Sequence, residues 1–418
     1  MRAKTESSSV GRRAVFAAGF AAAALAAAFS PALRAQQKEV KVAVIAPISG
    51  PWARQGQLIQ MGAEMAVDEI NQRGGVKSLG GAKLKLIIAD AGDSAEKAKN
   101  AAQRLTAQEP DLVGGTGAWL STFTLAVTEV TERAQIPWLT LSYADNITDR
   151  GFKYVFQTSP VASVQSSASI PAIIELARSA TGKAPTTAGI IGDNTASPVF
   201  FLKPLREGGL AKAGMKVVMD ETYTPPLSDA TPLIQKVRST RPEILFFVST
   251  TISDLKLGLE KMNEFRLAKG VVPVIANGAH MGAPEVLKNV PPDLLEGVMF
   301  IVADWGMKGT ESINETFKKR TGEPWITQDA LTGYGDMWIL KEGLEAAKST
   351  DKVKVAEAIR KMNLKEGPAA AAFPGGVQFD DKGRRMNAPI LIVQWQKGVP
   401  VTVSPPDRAL AKPYWPKH

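Results

Sequence analysis

The sequence predicts an α/β protein made of two parallel-sheet lobes, on two observations. From residue 40 onward, short apolar runs of strand length alternate with segments of helical period, the pattern of strands joined by helical crossovers. The chain's 418 residues also exceed what one hydrophobic core usually supports.

Arg2, Lys4, Arg12 and Arg13 make a basic start, followed by an uncharged Ala-rich run from Ala14 to Phe29. This is the layout of a signal peptide, with cleavage after Ala35 or Ala32. The run falls short of the roughly 20 apolar residues of a membrane span, and no later stretch qualifies. Arg12-Arg13 points to twin-arginine export, whereas Gly11 ahead of the pair departs from that motif and leaves Sec export open. Removing residues 1–35, with five basic side chains and one acid, lowers the formal net charge from +9 to +5.

The first strand is Val40–Ala46, followed by a loop from Pro47 to Gly56. Ile59, Gly62, Ala63, Ala66 and Ile70 then share one helical face, and Gly74-Gly75 supplies the stop. Strands follow at Leu84–Asp90, Asp111–Val113 and Trp138–Leu141. Between them, one helix buries Ala98, Ala102 and Leu105, with Asp93 and Glu96 as its capping box, and another buries Phe123, Ala126, Val127, Val130 and Ala134. Asp90 and Asp93 therefore read as structural acids. After Tyr154–Thr158 a second series begins, with strands at Ala188–Gly192, Lys216–Tyr223, Ile244–Val248 and Val272–Ala276. The segment Gly297–Trp305 leads into helices near Ser312–Arg320, Asp329–Ala347 and Val353–Met362. Val377–Gly383 and Ile390–Trp395 read as a hairpin turning on Asp380-Asp381-Lys382-Gly383. The Pro-rich tail after Ser404 reads as a surface strap or a disordered end.

Composition removes several function classes. Lys and Arg alternate with acids, as from Asp254 to Lys269, instead of clustering as a nucleic-acid interface requires. The chain has no cysteine and two histidines, so it offers no disulfide, thiolate ligand or H-E-x-x-H site. Gly114, Gly115 and Gly117 do not make a G-x-G-x-x-G, and no P-loop lysine follows. No G-x-S-x-G elbow occurs, and a serine triad would have to use His280 because His418 ends the chain. A secreted hydrolase is thus the remote alternative, and no cofactor is implied.

The block Val40-Lys-Val-Ala-Val-Ile-Ala-Pro-Ile-Ser-Gly-Pro-Trp52-Ala-Arg-Gln-Gly56, continuing through Met61–Asn71 to Arg73-Gly-Gly-Val76, resembles the opening of the leucine/isoleucine/valine-binding family of periplasmic solute-binding proteins. The resemblance runs from about Val40 to Val403. It implies a type I periplasmic binding clamshell: two doubly wound lobes joined by three hinge crossovers, near Gln157–Pro160, Val302–Trp305 and Phe373–Gly376. The implied organisation is a signal peptide at 1–35, an N-terminal lobe of 38–158 plus 305–373, a C-terminal lobe of 159–304 plus 374–403, and a tail at 404–418. Such a protein is a periplasmic monomer that closes around a solute and delivers it to the membrane subunits of an ABC permease. A sensory receptor uses the same clamshell, but nothing here tethers one to a membrane.

In open α/β sheets ligands bind beyond the carboxyl ends of strands, so the loops there are the candidates. On the first loop Trp52 is a flat apolar wall and Arg54 a planar fork for a carboxylate, set against a bracing tryptophan and a solvated arginine. The resemblance puts Ser121, at a helix start, on the ligand's carboxylate, with Ser142, Tyr143 and Ala144 in the turn that shares that role; N-capping is compatible. Trp119 stands where the family usually has small residues and points to a flat or aromatic ligand. In the opposite lobe, Asp193–Thr195, Ser249–Thr251 with Thr250 at its centre, and Asn277–His280 close over the ligand. The family's Asp-x-x-Tyr-Gly turn is replaced by Gly192-Asp-Asn-Thr-Ala-Ser-Pro198. The acid that pairs a ligand ammonium is absent from Ala276–Ala283, with Asp304 or Glu285 as the substitutes. His280 could bond a phenol or carboxylate. These departures favour an aromatic carboxylate such as a benzoate or cinnamate derivative. The alternative is a branched-chain or other hydrophobic amino acid.

Overall fold

Strand β1 (Glu39–Ala46) is buried at all but two positions and lies between β2 (Lys83–Asp90) and β3 (Gly114–Gly117), as a doubly wound sheet requires of its first strand. With β4 (Trp138–Thr140) and β5 (Val155–Gln157) they form an all-parallel sheet in the order β2-β1-β3-β4-β5. The second sheet has the order β14-β13-β10-β9-β8-β6-β7. Its strands are β6 (Thr187–Asp193), β7 (Lys216–Tyr223), β8 (Ile244–Val248), β9 (Val274–Asn277) and β10 (Met299–Val302), then β13 (Leu391–Gln396) and β14 (Val399–Ser404). Its parallel part, β7-β6-β8-β9-β10, repeats the order of the first sheet, and the antiparallel pair β13 and β14 extends one edge. A small pair, β11 (Asn363–Leu364) with β12 (Val377–Gln378), stands apart. This computed structural model describes Met1 and residues 39–415, and Glu39 onward forms one compact unit containing both sheets. The expected signal peptide lies outside the described residues.

The main helices are α1 (Ala53–Gln72), α2 (Ala95–Gln108), α3 (Ser121–Arg133), α4 (Ala162–Thr181), α5 (Ala196–Pro204), α6 (Thr231–Thr240), α7 (Ile252–Glu264), α8 (Glu311–Thr321), α9 (Gln328–Ala347) and α10 (Lys352–Arg360). Helix α9 is buried on every side over its first thirteen residues and packs on α1. The two helices approach through reciprocal glycines. A Cβ on Gly62 would stand 1.9 Å from Ala330 O, and one on Gly333 2.2 Å from Ile59 O, so only glycine allows this backbone contact.

Three expectations are corrected. Strand β3 lies at Gly114–Gly117, after the expected Asp111–Val113: a side chain at Gly114 or Gly115 would run into Leu340 or the Trp138 ring, so glycines form a strand that their propensity disfavours. Helix α2 is capped by Ser94, which accepts from Lys97 N (3.2 Å), while Asp93 pairs with Lys97 Nζ (2.8 Å). The Asp380–Gly383 turn forms (Gly383 N to Asp380 O, 2.9 Å), but its flanks share only a Phe379–Arg385 bridge. The hairpin is β13 with β14, turning at Lys397-Gly398, both with positive φ. Because the first five residues of β13 are buried, it takes a place between β10 and β14. The tail past Ser404 straps this edge through Gln394 Nε2 to Tyr414 O (2.6 Å) and Gln396 Nε2 to Lys412 O (2.9 Å).

The chain passes between the sheets three times, and one guanidinium holds all three passages. Arg385 is buried and donates to Thr158 O in the first, to the Asp304 carboxylate (3.0 Å) in the second, and to Pro374 O (2.9 Å) in the third. The Phe373 ring lies under it at 4.9 Å. Gln328 adds a second tie, accepting from Ala303 N (3.0 Å) and donating to Ser159 Oγ (3.1 Å).

Candidate ligand-binding site

In a sheet of order 2-1-3-4-5, crossovers leave on opposite faces of strands 1 and 3, and a crevice opens between them at their carboxyl ends. Both sheets present this point to the same cavity, of about 40 Å³. One wall is made by the loops after β3 and β4 and the start of α9. The other is made by the start of α5 and the loops after β8 and β9.

The loop after β3 is a strained turn. Gly117, Ala118 and Trp119 have φ of +115°, +64° and +50° in succession, and a left-handed non-glycine residue costs about 1–2 kcal/mol. Trp119 is held from three directions: Ser142 Oγ donates to its carbonyl (2.7 Å), its Nε1 donates to Asp329 Oδ1 (3.0 Å), and its ring meets His280 edge to face at 5.7 Å. Because Ser142 gives its proton to Trp119, Thr124 supplies the proton in the 2.6 Å contact between the two hydroxyls. Ser142 therefore fastens two loops together and has no proton left for a ligand.

Ser121 opens α3, where Phe123 and Thr124 N close the first turn on Leu120 O. Its Oγ accepts from Ala144 N (3.1 Å), and its own proton has no acceptor among the described residues. A hydroxyl donor beside the amide end of a helix suits a carboxylate.

Two buried polar atoms on this wall lack partners: Tyr143 Oη and Asp329 Oδ2. Burial pushes the pKa of the Tyr143 phenol well up, and the Asp329 and Asp304 charges add to this against an opposing effect of Gln328. Asp329 is fully buried and its pKa is pushed up to about 7 by desolvation, against the opposing pull of the Trp119 bond and the Arg54 charge. An unpaired buried carboxylate is costly, and a cation within reach would relieve it.

Across the cavity, His280 Nε2 lies 2.8 Å from Ser249 O, which can only accept, so Nε2 carries the proton. Burial lowers the pKa of His280 to about 4, leaving it neutral at pH 7. Asp193 takes four bonds, from the N and Oγ1 of Thr195 (2.9 and 2.6 Å) and of Thr250 (2.6 and 2.7 Å), and so joins the loops after β6 and β8. Among the described residues, no group of three or more acids and histidines could hold a metal, and no helix is long and apolar enough to cross a membrane.

Residues 39–400 match the periplasmic binding protein family. The chain belongs to that family. Among curated relatives, Leu/Ile/Val-binding protein homolog 8 of Brucella suis biovar 1 is 29% identical over 397 residues, covering 92% of this chain and 94% of its own. Homolog 7 of the same strain is 28% identical over 399 residues, covering 93% and 96%. Among solved structures, a leucine-binding protein of Thermotoga maritima matches with a TM-score of 0.74 at 20% identity, over 88% of this chain and 99% of its own. A solute-binding protein from R. palustris in complex with benzoate matches at 0.73 and 17% identity, over 91% and 100%. These likenesses show the fold.

In this periplasmic binding protein, Trp119, Ser121, Ser142, Tyr143, Thr250 and His280 of the expected site residues come together around the cavity. Trp52, Arg54, Ala144, Asp193 and Thr195 stand behind it. Trp52 donates to Thr250 O (3.2 Å) from the opposite wall, and Arg54 pairs with Glu323 (2.5 Å) and approaches Glu285 (3.4 Å). Neither expected substitute acid reaches the cavity, since Asp304 is paired with Arg385 and Glu285 lies between Arg54 and Lys288. The acid at the cavity is Asp329, which the sequence reading placed only as the first residue of a helix. Its signal was the polar run Thr327-Gln328-Asp329, followed by Asp336, where the first thirteen residues of the helix are otherwise uncharged.

Proposed function

We propose that the protein is the solute-binding component of an ABC importer, exported to the periplasm by its first 35 residues, and that it holds a small α-amino acid between its two sheets. The ligand carboxylate sits at the start of α3 on the Ser121 hydroxyl, and its ammonium pairs with Asp329. The observation that carries this reading is the unpartnered, fully buried Asp329 Oδ2 in the cavity wall. A zwitterion satisfies both ends, whereas a bare carboxylate leaves the acid unpaired and adds a second negative charge.

An aromatic carboxylate is the second reading, supported by the rings of Trp119, Tyr143 and His280 around the cavity. It is the weaker one. Trp119 and His280 turn toward each other, and a bare carboxylate leaves Asp329 Oδ2 without a partner. Calorimetric titration with L-alanine and L-leucine, each beside its deaminated acid, and with benzoate tests the choice. Heat from the amino acids alone supports the zwitterion, and binding of benzoate or the deaminated acids with equal affinity refutes it.

A further inference from the structure

We infer that Trp119 is the residue that limits ligand size, so that this protein accepts α-amino acids with short side chains in preference to leucine-sized or aromatic ones. The inference rests on the amino-acid reading above and goes beyond it, because the ammonium and carboxylate contacts are indifferent to what the α-carbon carries.

The indole does not line the cavity as a passive wall. It runs from Asp329, bonded through Nε1 at 3.0 Å, across to His280 of the opposite wall, which it meets edge-on at 5.7 Å and 90°. The space between the ammonium acceptor and the second sheet's loops is therefore filled by a side chain of the protein. What remains is about 40 Å³, so a bound ligand gains the rest of its room by displacing protein, and the demand grows with each carbon on its side chain. A branched four-carbon side chain or a ring therefore asks more of the indole than a methyl group does.

Nor can the indole swing aside like a surface tryptophan. Its backbone is fixed by the Gly117-Ala118-Trp119 turn in left-handed geometry and by the Ser142 hydroxyl on its carbonyl. The turn itself is locked to the first sheet, because a Cβ on Gly117 would stand 2.1 Å from Ile45 O. Backbone strain held by surrounding structure is characteristic of functional positions. Here it directs the bulkiest side chain type between Asp329 and His280.

The test is a titration series of glycine, L-alanine, L-valine, L-leucine and L-phenylalanine against the purified protein, Trp119→Ala and Trp119→Leu. The readout is the ratio of dissociation constants for leucine and alanine within each protein, which a general loss of folding would not invert. The wild type should bind alanine at least tenfold more tightly than leucine. Both variants should lose that preference, with Trp119→Ala accepting phenylalanine. Wild-type affinity that rises from alanine to leucine overturns the inference, as does a uniform weakening with an unchanged ratio in both variants. If none of the three proteins binds any amino acid, the amino-acid reading fails and this inference falls with it.

Discussion

Replacing Asp329 by Asn should weaken ligand binding and stabilise the empty protein at the same time, because the same unpaired carboxylate drives both effects. For binding, opposite unit charges about 4 Å apart attract by about 4 kcal/mol at an effective dielectric near 20. Removing one partner of a buried charge pair typically costs about 2–5 kcal/mol. An amino acid should therefore bind Asp329→Asn roughly 30- to 4,000-fold more weakly, at about 1.4 kcal/mol per decade. The deaminated analogue, which brings no ammonium, should bind the variant no worse than the wild type.

For stability, the pKa of Asp329 rises from 3.8 to about 7 on folding. Below pH 3.8 the folded and unfolded chains both hold the proton and there is no penalty. Between 3.8 and about 7 the unfolded chain has released it and the folded chain has not, so stability falls as pH rises. Above 7 the penalty is complete, at roughly 4 kcal/mol for about three pH units. Urea denaturation of the ligand-free proteins should show Asp329→Asn more stable at pH 8 by up to that amount, with the difference vanishing near pH 4. A variant that is less stable at pH 8, or that binds alanine as tightly as the wild type, would refute the reasoning.

Other consequences are checked by the same methods. Amino-acid affinity should fall about tenfold per pH unit below about 7, as Asp329 must lose a proton to receive the ammonium; a flat profile from pH 5 to 8 contradicts this. Arg385→Met removes the tie among three passages and leaves Asp304 buried without its partner, which should cost about 3–5 kcal/mol in urea denaturation, partly recovered by adding Asp304→Asn. Simple additivity of the two changes would argue against the pairing. Trp52→Phe keeps a ring on Phe123 but loses the bond to Thr250 O, so affinity should drop about 2- to 10-fold with little change in Tm. Gly333→Ala should destabilise by at least about 1–3 kcal/mol, because its Cβ would stand 2.2 Å from Ile59 O.

The parts of the fold that were legible are those whose period is local. β8 occupies the expected Ile244–Val248 and β7 the expected Lys216–Tyr223, since each is a run of strand formers bounded by turn residues. What escaped the sequence depends on distant partners. Gly114 and Gly115 read as a loop because nothing nearby announces that Leu340 and Trp138 will occupy the space their side chains would need. β13 is expected to pair with Val377–Gly383 and instead pairs with β14, because strand pairing is not written in the strand itself. The loops after β3, β4, β8 and β9, which line the cavity, were expected from the rule that ligands sit at strand ends. Asp329 was not, because it enters from a helix about 210 residues beyond Trp119, and a lone acid at a helix start resembles any first-turn carboxylate that favours the dipole.

The cleft and the hinge both hold buried charge, and they differ in what surrounds it. At the cleft, Asp329 and Tyr143 carry polar atoms without partners, and two left-handed residues hold Trp119 in place. At the hinge, a buried arginine has a carboxylate and carbonyls from three separate passages around it. Walls that carry unmet hydrogen-bonding capacity favour whatever meets it, so a zwitterion bridging Ser121 and Asp329 gains from contacts the empty protein cannot make for itself. At the hinge every bond that Arg385 makes is to the protein itself, while Asp304 Oδ2 has no partner and burial raises the Asp304 pKa to about 6. On the proposed reading, selectivity then rests on the rigid element between the two ends of the ligand, the indole of Trp119.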